Sequence, residues 1–85
     1  MDNKREIRNE YYPSGKLELE SIWKDGKRDG ITRRYYESGE IEAEWNWADG
    51  KLEGISRIYY KSGQVEEEIT WKNNRVINTK HFDEQ

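Results

Sequence analysis

Residues 35–58 read YYESGEIEAEWNWADGKLEGISRI. The same 24-residue pattern precedes them as YYPSGKLELESIWKDGKRDGITRR (11–34) and follows them as YYKSGQVEEEITWKNNRVINTKHF (59–82). All three blocks keep a Tyr-Tyr pair, Ser-Gly, two glutamates and one Trp at fixed places, which marks an internal repeat. Within the central block Ile41, Ala43, Trp45 and Trp47 alternate with Glu40, Glu42, Glu44 and Asn46. An alternation of period two is the signature of a strand with two unlike faces. Asp49-Gly50 then supplies turn chemistry, a second short run rich in Ile, Arg and Tyr follows, and Ser62-Gly63 turns the chain again.

Working outward, the repeats at 11–34, 35–58 and 59–82 form one domain over 1–85, with a half-repeat at 7–10 that aligns with 31–34 and a short tail at 83–85. The expected fold is all-β: a single-layer, twisted antiparallel meander of about seven strands. The third block has Asn73-Asn74 in place of Asp-Gly and Asn78 in place of Gly54, so it has the look of a terminal cap.

Two loop readings compete, and they set different registers. If both loops hold two residues, Glu18 faces Arg33, Glu42 faces Arg57 and Arg33 also lies across from Glu44, a ladder of charge pairs. If both loops carry a bulge, Leu19 faces Ile31 and Tyr35 faces Ile41. Pro13 favours the second reading, because it has no N–H to place beside a two-residue loop and suits position i+1 of a type I turn. Repeating the same face every 24 residues requires both loops to share one parity. Either way, the alternation places Glu18, Glu20, Glu42, Glu44, Glu66 and Glu68 on the face opposite Trp23, Trp47 and Trp71. Gly30 and Gly54 mark a bulge or the close approach of a neighbouring ring.

These residues resemble the MORN repeat family, in particular its bacterial variant form. The positions that carry the likeness are Tyr35, Tyr36, Gly39, Ile41, Glu44, Trp47, Asp49, Gly50, Lys51 and Gly54, with their counterparts one repeat away. The resemblance implies a scaffolding or interaction unit rather than a catalyst. It also implies, for small bacterial members, the role of an antitoxin.

Composition narrows the classes further. Leu, Ile, Val and Phe together make up fourteen of 85 residues, so eleven aromatics have to supply most of the apolar surface. There is no cysteine, which excludes disulfides, thiolate metal sites and a Cys nucleophile. His81 is the only histidine and lacks triad or metal-site spacing, and the glycines fall one to a turn rather than in a phosphate-binding run. No catalytic residue, cofactor or metal is expected.

A net charge of −3 disfavours direct binding to nucleic acid. Without a membrane-length apolar run or a signal-like start, the chain reads as cytoplasmic. The expected partner is a protein, a toxin or a defence nuclease such as an anti-CRISPR would block, with a homodimer as a further option. Candidate contacts are the six glutamates, Trp45, Tyr35, Tyr36, Tyr59 and Tyr60. The glutamates read either as an acidic strip for a basic groove or as a solvated face balanced by its own Arg and Lys. The tryptophans read either as core or as an open platform. Self-assembly through sheet faces or edges is the competing function.

Overall fold

In the computed structural model, residues 4–85 are described. They contain no helix. Nine strands form one antiparallel sheet: β1 Glu6–Tyr11, β2 Leu17–Lys24, β3 Lys27–Arg28, β4 Gly30–Tyr35, β5 Ile41–Ala48, β6 Lys51–Leu52, β7 Gly54–Tyr59, β8 Val65–Lys72 and β9 Arg75–His81. The order across the sheet is β1-β2-β4-β5-β7-β8-β9, with β3 on β2 and β6 on β5. β3 and β4 are therefore one column interrupted at Asp29-Gly30, and β6 and β7 one column interrupted at Glu53-Gly54. The expected seven strands appear as seven columns.

The two loops prove to be of different kinds, which corrects the shared-parity expectation. Asp25-Gly26, Asp49-Gly50 and Asn73-Asn74 are two-residue turns with both residues at positive φ, the geometry of type I′. Asn tolerates that region, so the third block keeps its turn without glycine. Each Ser-Gly loop instead holds three residues. Gly15 N–H donates to Tyr12 O while Tyr12 N–H donates to Lys16 O, which puts Pro13 at i+1 and Gly15, at φ +92°, at the bulge.

The odd residue this loop introduces is removed one step later. Tyr35 pairs with Ile41 and Arg34 with Ala43, leaving Glu42 as an extra residue on β5; Glu18 and Glu66 are extra in the same way. Beyond the bulge the register is that of a two-residue loop. On the other side, the interruption at Asp29-Gly30 shifts pairing by two, so Glu20 faces Arg33 and Leu19 faces Arg34 rather than Ile31.

The sheet measures 49 × 37 × 14 Å, a single layer. Only Ala43, Ser21, Thr32 and Ser56 are buried among the described residues, and register places all four on the tryptophan face. A sandwich core is absent. Half-buried Trp23, Trp45, Trp47 and Trp71 roof these small residues, so the rings act as the core while keeping one side open.

Candidate partner-binding surfaces

The bulge at each Ser-Gly loop decides where the glutamates point. Arg33 and Arg34 are neighbours in β4 and face opposite ways. Arg33 Nε donates to Glu44 at 2.8 Å and Arg33 Nη1 lies 3.9 Å from Glu20, whereas Arg34 meets Glu18 at 2.8 Å and Glu42 at 3.4 Å. The six glutamates are therefore divided rather than aligned. Glu20, Glu44 and Glu68 stay opposite the tryptophans, while the extra bulge residues Glu18, Glu42 and Glu66 turn onto the tryptophan face. A one-residue insertion sends two consecutive side chains to the same side, and alternation alone does not reveal it.

The face opposite the tryptophans carries three rows. Its middle row runs Glu20, Arg33, Glu44, Arg57, Glu68, Lys80, with the charges alternating in sign. Arg57 Nε donates to Glu68 at 3.0 Å, and Tyr59 Oη donates to Glu44 at 2.7 Å. Burial pushes the Glu44 carboxyl upward, but the Arg33 and Tyr59 hydrogen bonds and the nearby guanidinium charges outweigh it and hold the group below its usual value. Burial and the hydrogen bond to Glu44 raise the Tyr59 phenol. Above the ladder lie Ile7, Ile22, Ile31, Asn46 and Ile55; below it lie Tyr11, Leu17, Tyr35, Ile41, Tyr59 and Val65. The ladder joins the third repeat through Lys80 instead of His81. With Asn78 in place of a positive-φ glycine, the shift in β9 is one residue rather than two.

The tryptophan face is a stack of rings and cations. Arg8 sits 4.1 Å from the Trp23 ring, and Arg28 lies between Trp23 and Trp47 at 5.2 and 5.4 Å. Trp23 Nε1 donates to Ser21 Oγ at 2.8 Å, whereas Trp45 and Ile69 occupy the matching positions beneath Trp47 and Trp71, whose N–H groups have no such acceptor. Trp45 belongs to this face. So do Tyr36 and Tyr60, whose hydroxyls donate to Tyr59 O and Phe82 O at 2.9 Å each and so bind successive repeats together.

Of the six glutamates, Glu66 alone has no ion pair among the described residues, because Ile58 stands where Arg34 serves Glu18 and Glu42. The arginines that neutralise the others were visible in the repeat, but only the register says which glutamate each one takes. The sheet edge, allowed as a contact from the sequence but without a named strand, is the remaining surface. β9 is an edge strand exposed throughout, with Val76, Ile77 and Phe82 uncovered. Its signal was the departure of the third block from the pattern.

Among the described residues, no group of three or more His, Cys, Asp or Glu is arranged to hold a metal, and no helix is long and apolar enough to cross a membrane. An open, single-layer repeat sheet with aromatic, charged and edge surfaces defines a repeat scaffold. The chain belongs to the MORN repeat variant family, whose repeat matches residues 7–25, 28–49 and 52–73. These units are phased differently from the blocks that begin at Tyr11. Such repeats are generally protein- or membrane-binding modules. Comparison with curated proteins and with solved structures found no match.

Proposed function

We propose that this chain is a non-enzymatic module that binds a protein partner, a toxin or a defence nuclease, and neutralises it by covering a functional surface. The observation that carries this reading is the β9 edge. The seven residues are exposed, and the strand's outer side, which no other strand pairs, presents backbone groups together with Val76 and Ile77. An edge of this kind is normally blunted by charge or covered, and here it is suited to add to a partner's sheet. β1 at the other end carries charge along its length, with Glu6, Arg8 and Glu10, whereas in β9 Arg75, Lys80 and His81 stand at the ends and leave the stretch 76–79 uncharged. Unpaired Glu66, together with Glu67, Asp83 and Glu84, gives the β9 end an acidic flank that suits a basic functional groove.

The test is capture of a stoichiometric partner from native cells by the purified chain, followed by assay of that partner's own activity. Expected are full inhibition at one-to-one stoichiometry and loss of inhibition with Ile77→Lys. A captured partner that stays fully active overturns neutralisation, and one still inhibited by Ile77→Lys moves the contact away from β9.

A further inference from the structure

We infer that the face opposite the tryptophans is a homodimer interface, on which a second copy of this chain packs face to face. Four observations converge on it.

The exposed apolar side chains lie on this face or at the β9 end. Ile7 (63% exposed), Tyr11 (58%), Ile31 (36%) and Ile55 (38%) all point to the ladder side, where register places them in rows flanking the charges. The tryptophan face, in contrast, already roofs the four buried residues. A single layer leaves one apolar face uncovered unless another layer meets it.

The charge order says what the second layer is. Alternation along Glu20, Arg33, Glu44, Arg57 and Glu68 is complementary to itself under a two-fold axis that runs parallel to the strands between β4 and β5. That axis sets Arg33 against the second copy's Glu44 and Glu20 against its Arg57. The same operation lays Tyr35 over Ile41 and Ile22 over Ile55. An axis through a strand would oppose like charges, so the ladder admits a two-fold only between columns. Packed sheets cross at about 30°, which makes the match closest at the axis, where the Arg33 and Glu44 pairs lie.

The face is also large enough. A sheet 49 by 37 Å across exceeds the ~800 Å² per partner of a standard interface. Finally, two ladder pairs, Arg33 with Glu44 and Arg57 with Glu68, are already hydrogen-bonded within one chain. Covering them leaves few charges without a partner, the condition under which buried ion pairs are tolerated. This interface leaves β9 outside the overlap, so it is independent of the neutralising role proposed above.

Sedimentation equilibrium of the purified chain across a concentration series tests the inference. The expected result is a concentration-dependent rise from 10.3 kDa to twice that mass. The double variant Ile31→Lys/Ile55→Lys, at two partly exposed positions, is expected to weaken association by roughly tenfold or more, with an unchanged tryptophan circular-dichroism signal. Glu20→Lys, whose contact with Arg33 in its own chain is only 3.9 Å, weakens it by opposing the second copy's Arg57. A single-chain mass at every concentration overturns the interface. So does a dimer that ignores the lysine variants and is lost with Ile77→Lys, an outcome that assigns association to the β9 edge.

Discussion

The Tyr36 hydroxyl donates a hydrogen bond to the carbonyl oxygen of Tyr59, 23 residues along the chain, at 2.9 Å. The same bond joins Tyr12 to Tyr35 at 2.6 Å, and Tyr60 closes the series on Phe82. The second tyrosine of each pair is therefore a strut between successive repeats. Tyr36→Phe is expected to cost about 1 kcal/mol, the net worth of one such bond, in urea unfolding. Tyr60→Phe is expected to act mainly at the end of the sheet, so faster amide exchange confined to β9 is the check.

Arg28 fills the layer between Trp23 and Trp47, and Leu52 stands at the same place one repeat later. The sheet thus accepts an aliphatic residue at this position. Arg28→Leu is expected to change stability by less than about 1 kcal/mol, whereas Trp47→Ala removes the shared ring and costs about 2–3 kcal/mol, below the ~3–5 of a fully buried ring. Thermal melts of the two variants side by side give the comparison.

Gly30 has φ +129°, and an added Cβ would meet Ile22 side-chain atoms at 3.3 Å. Gly30→Ala combines backbone strain with crowding at the interruption between β3 and β4, for an expected loss of roughly 1–3 kcal/mol. Gly26→Ala has only the strain, since nothing lies within 4 Å of the new Cβ. Chemical denaturation should rank Gly30→Ala as the more damaging of the two.

Glu44 titrates below its ordinary 4.5 because the hydrogen bonds and charges around it outweigh the upward push of burial. A carboxyl with a depressed folded-state value contributes stability that is present above the unfolded value and lost as pH falls through the folded one. The unfolding free energy should therefore decline as the pH drops below about 4.5. Glu44→Gln should lower stability near neutrality and flatten that acid limb. Urea midpoints measured from about pH 7 to about pH 3 provide the test.

Trp23, Trp47 and Trp71, the Tyr-Tyr pairs and the Ser-Gly and Asp-Gly steps were enough to read the repeat, the meander and its seven columns. The register was not legible to the same depth. Pro13 correctly indicated a three-residue loop, but the extra residue that restores alternation, Glu18, Glu42 or Glu66, is chemically like its neighbour two positions on. Nothing in composition separates a bulged glutamate from a paired one. His81 is a parallel case. Its place in the repeat equates it with Arg57, yet without a glycine at 78 the chain slips by one and Lys80 takes the ladder position. Tyr36 and Tyr60 fell on one face, and Tyr35 and Tyr59 on the other, because the face of each depends on those same shifts, whereas Trp45 shares the face of Trp47 by plain alternation.

Columns pair only with their neighbours, and the side-chain ties that skip a column stay short in sequence, 23 residues from Tyr36 to Tyr59 and 24 from Arg5 to Asp29. An all-β chain of this kind closes no long loop on its way to the native state. It should fold faster than sandwiches of similar length, whose strands pair across distant sequence. The sheet can also grow column by column as the chain leaves the ribosome, and under tension it should unzip from either edge one hairpin at a time.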